Sequence, residues 1–141
     1  MENWQFWAIS SAVFAALTAI FAKIGIEGLN SDFATLVRTC VILFVLSGFL
    51  TLTGQWQPLS SISAKSFLFL VLSGLATGGS WVSYFRALKL GKAAQVAPVD
   101  KLSVVLVAIF ATVFLGEQLS KIHWLGIALI ATGAILLAIQ T

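Results

Sequence analysis

Two sets of side chains stand out because their chemistry conflicts with their surroundings. The first lies in "QVAPVDKLSVVLVAIFATVFLGE", residues Gln95 to Glu117, an apolar run that carries Pro98, Asp100 and Lys101 near its start. Adjacent residues on a helix point about 100° apart, so Asp100 and Lys101 make no simple face-to-face pair and Asp100 requires a partner from another segment. Arg38, at similar depth in an earlier apolar run, is the candidate. Ionisable groups in hydrocarbon are costly unless paired or wetted, so this pair either locks two helices together or forms a substrate or proton site. Lys101 lies about 10 Å along its helix, shallow enough for its stem to reach the headgroups. Pro98 cannot donate to the Ala94 carbonyl, which predicts a bend where the charges sit.

The second set is Ser73, Thr77, Ser80 and Tyr84, spaced i, i+4, i+7 and i+11 on one arc of a helix. Lipid does not reward such a stripe, so it is expected to face the interior, either as interhelical hydrogen bonds or as the lining of a polar cavity. Trp81, beside it, is a packing residue or a pocket wall. On the neighbouring arc Gly74 and Gly78 allow another helix to approach closely. The single cysteine, Cys40, excludes an intrachain disulfide and is expected to be buried by packing in its apolar run. His123, the one histidine, has no companion ligands for a metal. No phosphate-cradling glycine loop or nucleophile motif occurs, so neither a cofactor nor an enzymatic activity is expected.

These residues acquire meaning only from the elements that hold them. The chain of 141 residues is 60% hydrophobic and 9% charged, with a mean hydropathy of +1.04. A soluble domain needs far more charge for its surface. Apolar runs long enough to cross about 30 Å of hydrocarbon recur five times, at Phe6 to Ile26, Phe33 to Thr53, Phe67 to Leu88, Ala94 to Leu115 and Trp124 to Ile139. The first run lacks a basic leader and exceeds a signal-peptide core, so it is read as a retained span. Short polar turns such as "EGLNSD" and "GEQLSKIH" join the runs. The expectation is an all-α integral membrane protein, a single domain over residues 1–141 formed by a bundle of five transmembrane helices.

In a five-span zigzag Trp4, Trp7, Trp56 and Trp124 fall on one side, as indole rings at one headgroup level should. Lys23, Glu27, Asp32, Arg38, Arg86, Lys89, Lys92, Asp100 and Lys101 lie towards the other side, while Glu2, Lys65, Glu117 and Lys121 share the tryptophan side. Basic residues accumulate on the cytoplasmic face, which favours an outside N-terminus and a cytoplasmic C-terminus in a bacterial-type inner membrane. The net charge of +3 fits anionic lipid as a partner rather than nucleic acid.

The segment "AAQVAPVDKLSVVLVAIFATVFLGEQLSKIHWLGIALIATGAILLAI" resembles the last two spans of an EamA-type repeat of the drug/metabolite transporter superfamily, with its AP step, its FLGE end and its glycine-rich final span. That resemblance implies one five-span repeat, where family members usually carry two in a ten-span transporter. "GIALIATG", Gly126 to Gly133, is also similar to the helix through which small multidrug resistance transporters pair. Those proteins carry a membrane-embedded Glu in their first span, where this chain has no acid and instead has Lys23.

The expected function is a transporter subunit that moves a small metabolite by alternating access as a dimer, parallel or antiparallel, or paired with a homologue. Gly126 and Gly133 would hold the dimer. Ser73, Thr77, Ser80, Trp81 and Tyr84 would line the substrate cavity, with Arg38, Asp100 and Lys101 at its charged end. Alternatives are a non-transporting accessory or scaffold subunit and a lipid-linked sugar flippase subunit, a role the resemblance also allows.

Overall fold

Hydrocarbon offers backbone N–H and C=O groups no partner, so a chain this apolar must satisfy them within helices. The computed structural model describes residues 4–139, and among them the regular structure is helical, with no strand. The helices are α1 (Trp4–Gly25), α2 (Ser31–Thr53), α3 (Ala64–Leu90), α4 (Ala93–Asp100), α5 (Ser103–Phe114) and α6 (Lys121–Ala138). With α4 and α5 taken as one segment, five helices among the described residues are long and apolar enough to cross a membrane. Glu2, assigned above to the tryptophan side, lies outside the described residues.

Helix ends depart from the hydropathy boundaries where polar side chains cap them. Ser63 accepts the Ser66 N–H at 3.1 Å, and α3 begins three residues before the apolar run. At α6, the Ser120 hydroxyl accepts the His123 N–H while His123 Nδ1 accepts the Ser120 N–H, a reciprocal cap that gives the lone histidine a structural role. Asn30 Oδ1 accepts from the N–H groups of Asp32 and Phe33 at 2.9 and 3.2 Å, which starts α2 and places Asp32 in its first turn. Gly54 ends α2 in the left-handed region, at φ 65°, a conformation that costs glycine nothing.

The fourth span is interrupted. Lys101 N–H bonds to the Pro98 carbonyl and Leu102 N–H to the Val99 carbonyl, both at 3.0 Å, so the chain tightens to i→i−3 bonding between α4 and α5. The break falls at Lys101 and Leu102, next to the charged pair as expected, but it lies after Pro98, and α4 itself continues through the proline.

The helices group into two units. In the first, residues 4–21 with 90–139, α6 packs against α4 and α5, and the buried side chains Ala19, Ala108 and Ala134 are all small. Small side chains let backbones meet closely where lipid supplies no hydrophobic drive between helices. The second unit, Ala22–Lys89, holds the end of α1 with α2 and α3. Its buried residues Ile26, Ser31, Thr35, Phe85 and Leu88 gather where α1 ends, α2 begins and α3 ends. Lys23 Nζ donates to the Leu88 carbonyl and Lys89 Nζ to the Leu29 carbonyl, the latter at 2.7 Å. Both ammonium groups thus satisfy carbonyls left over at helix ends and turns.

Elsewhere large apolar side chains are exposed, Phe44 and Leu52 of α2 among them, as a surface meant for lipid requires. Trp4, Trp7, Trp56 and Trp124 are also exposed. Cys40 is exposed too, contrary to the expectation that packing buries it; in hydrocarbon a thiol gains nothing by hiding from its surroundings.

Replacing Asn30 by Ala should destabilise the protein by about 1 kcal/mol, because two N–H groups at the start of α2 lose their acceptor. Thermal unfolding in mild detergent measures this, and an unchanged midpoint would remove Asn30 as the cap.

Candidate functional site

Asp32 can act at the start of α2 because Asn30 sets the helix there, and Arg86 meets it from the last turns of α3. Arg86 Nε donates to Asp32 Oδ1 at 2.9 Å and Nη2 to Oδ2 at 2.6 Å, a bidentate bridge between residues 54 apart in sequence. The planar guanidinium fork fits a carboxylate in two places at once, fixing orientation as well as distance.

Beyond this bridge a cleft of about 570 Å³ lies between α2 and α3. From α2 it is lined by Asp32, Thr35, Leu36 and Thr39, spaced so that all four share one helix face. From α3, Ser73, Thr77 and Trp81 line it together with Gly74, Gly78 and flanking Leu70 and Val82. The wall is therefore apolar with four hydroxyls, one carboxylate at the bridged end and one indole, a common composition for a small-molecule site. Thr77 and Thr39 each donate their hydroxyl hydrogen to the carbonyl four residues back, at 2.8 Å, which leaves the oxygen free to accept. At Gly74 and Gly78 an added Cβ would meet nothing within 4 Å. Within their own unit no helix packs on them, and their missing side chains leave the floor of the cleft open.

The structure brings part of the expected set together. Ser73, Thr77 and Trp81 share the cleft, whereas Arg38, Ser80 and Tyr84 are not among its lining residues. The cleft is centred on the arc of Gly74, Gly78 and Trp81, so the hydroxyl stripe forms one edge; Ser80 falls past that edge, and Tyr84 lies level with the bridged end. Arg38 is half-buried, and its guanidinium carbon stands 4.3 Å from the centre of the Trp81 ring and 5.2 Å from that of Phe85. Trp81 thus belongs both to the cleft wall and to the seat of Arg38.

Asp100 and Lys101 belong to the other unit, at the break between α4 and α5. Lys101 Nζ lies 3.2 Å from Asp100 Oδ2, both side chains being partly exposed. This corrects the expectation that these neighbours cannot pair. The 100° rule governs Cβ directions in a continuous helix, whereas here the helix ends and a four-carbon stem swings back. Gly126 is half-buried and Gly133 exposed, and a Cβ at either would meet nothing within 4 Å.

Asp32, Thr35 and Thr39 were missed as site residues by sequence reasoning, which counted Asp32 only as an interfacial charge. Their i, i+3, i+7 spacing on α2 is the signal that pairs with Ser73 and Thr77 on α3.

Five membrane-length helices with a polar-edged cleft are the frame in which the chain's relatives can be read. Residues 2–139 match the EamA-like transporter family. The chain belongs to that family. This EamA-like chain is 63% identical over 138 residues to a Sinorhizobium protein named an uncharacterized transporter in the cobO 3′ region, with 98% of each chain covered. It is 26% identical over 135 residues to an uncharacterized transporter of Vibrio cholerae serotype O1, where the match covers 94% of this chain and 42% of the relative. No solved structure matches it. The protein is therefore a multi-pass membrane protein of a transporter family, and its relatives point to transport rather than catalysis.

Asp32→Asn and Arg86→Gln should each lower the unfolding temperature in detergent. The double variant should lose clearly less than the sum of the two, because each single change strands the other partner. Strict additivity would mean that the bridge contributes nothing to holding α2 and α3.

Proposed function

We propose that this protein is a secondary transporter subunit that moves a small polar metabolite across the membrane by alternating access, working as a dimer. The observation that carries this reading is the α2–α3 cleft, where Thr35, Thr39, Ser73 and Thr77 place hydroxyls between membrane-length helices that otherwise present apolar side chains. Polar groups in lipid persist where they serve a pathway or a partner, and a cleft of about 570 Å³ is of metabolite size. The Asp32–Arg86 bridge lies at one end of the cleft, where Asp32 lines it, and alternation requires that this end and the other open in turn.

A dimer supports the reading because transporters alternate by moving one repeat against another around a central site. The Sinorhizobium relative is matched over nearly its whole length by one five-helix chain, while the Vibrio relative is more than twice as long as the matched stretch. Two copies of the shorter kind supply what the longer kind has room for. Gly126 and Gly133, seven residues apart on α6, offer a face on which two backbones can meet. The loop charges support an outside N-terminus and a cytoplasmic C-terminus.

Purified protein in proteoliposomes should take up one or more of a panel of radiolabelled amino acids, sugar phosphates, nucleosides and amines above the rate of empty vesicles. A panel that first stabilises the detergent-solubilised protein against heat narrows the choice. Absence of flux for every compound that stabilises the protein would contradict transport. Replacing Gly126 and Gly133 together by Leu should convert dimer to monomer, seen as a halved protein mass in light scattering. Since a Cβ at either position meets nothing within 4 Å among the described residues, the monomer's fold should survive. An unchanged dimer mass would reject this interface.

A further inference from the structure

Arg38 has a requirement that its own unit does not meet. It lies seven residues past the start of α2, about 10 Å along the helix, where a guanidinium is costly without an anion. Within Ala22–Lys89 the acidic residues are Glu27 and Asp32, and Asp32 is held at both oxygens by Arg86. The contacts of Arg38 are with the rings of Trp81 and Phe85, one helical turn apart on α3. Ring faces attract the cation as a whole but offer no oxygen lone pairs, and although Tyr84 of the same unit acts on Arg38 electrostatically, no described residue of this unit is hydrogen-bonded to the five N–H donors of the fork. Two aromatic faces hold the guanidinium in place without using its N–H donors. A guanidinium fixed by stacking loses less freedom on binding than a free one, and its planar fork matches two oxygens of a carboxylate or phosphate.

We infer that Arg38, seated on Trp81 and Phe85, is the recognition site for an oxyanion, a carboxylate or phosphate group carried by the transported molecule. This rests on the transporter reading, and Trp81 is what ties the two together, being at once cleft wall and platform for Arg38. A lipid phosphate shares the same chemistry, so the source must be separated by experiment. Asp100 is the competing intramolecular anion.

The test uses the full chain with Trp81 as sole reporter, Trp4, Trp7, Trp56 and Trp124 being replaced by Phe. Its fluorescence is followed in neutral detergent against inorganic phosphate, propionate and, as a cation control, tetramethylammonium, at constant ionic strength. Phosphate or propionate should give a saturable change, and tetramethylammonium none. Arg38→Gln should weaken the affinity by about tenfold or more, as expected for charge-assisted hydrogen bonds, and Arg38→Lys should fall between the two. Size-exclusion profiles establish that both variants fold, and the Lys variant carries the test if the Gln variant does not.

No saturable response in the parent, or equal affinity in all three proteins, overturns the site. A response that appears only after Asp100→Asn makes Asp100 the counter-ion and also overturns it. Nanodiscs of phosphatidylcholine or phosphatidylglycerol separate the sources. A response to phosphatidylglycerol with none to the soluble ions assigns the oxyanion to lipid and overturns the substrate assignment. Because binding is read without flux, anion binding through Arg38 in a protein that transports nothing would sink the transporter reading and the assignment of the oxyanion to a transported molecule, leaving Arg38 as an oxyanion site. Flux insensitive to Arg38 would sink this inference alone.

Discussion

The bridge between Arg86 and Asp32 ties the start of α2 to the last turns of α3, two oxygens bound by two nitrogens at the helix ends that carry them. Around it lie the buried side chains of Ile26, Ser31, Thr35, Phe85 and Leu88, and the lysine contacts to the Leu88 and Leu29 carbonyls. One end of the helix pair is therefore tied by charge, hydrogen bonds and packing together. Farther along, Gly74 and Gly78 withhold the side chains that would fill the gap, and a cleft remains. The same feature that makes the pair a structural unit leaves it with an unfilled, hydroxyl-edged interior.

Two arginines divide the electrostatic work in different ways. Arg86 is spent on Asp32 in a closed bidentate pair. Arg38 is held by ring faces, which fix the cation without neutralising it. A closed pair suits a tie between helices, and a held but unneutralised cation suits recognition of something that arrives with its own negative charge. On this account Trp81 is the hinge of the chemistry, since one of its sides belongs to the cleft and its ring carries Arg38.

The spans were legible in the sequence because length and hydropathy alone decide what crosses a bilayer. Their ends were less so: the Ser63 and Ser120 caps are local hydrogen bonds that an average over twenty residues does not register. Ser73 and Thr77 could be placed on one face from spacing. Ser80 and Tyr84 share that stripe but not the cleft, because the position of the facing helix, and not the stripe itself, sets where the cavity is centred. The pairing of Asp32 with Arg86 joins residues 54 apart, and no periodicity within one helix can announce it. Asp100 and Lys101 show the reverse error: a rule for continuous helices was applied at the point where α4 ends, at Asp100 with Lys101 as its cap. Membership of the EamA-like family agrees with the resemblance carried by the last two spans.

The central claim, that the α2–α3 cleft is a water-filled compartment reached alternately from the two sides of the membrane, is tested most directly by the sidedness of a cysteine at Ser73. In a Cys40→Ser background, Ser73→Cys would be exposed to a membrane-impermeant thiol reagent in right-side-out and in inside-out vesicles. Labelling from both sides, faster than for a cysteine at lipid-exposed Val107, is the result this account predicts. Labelling from neither side, or from one side alone, would contradict it.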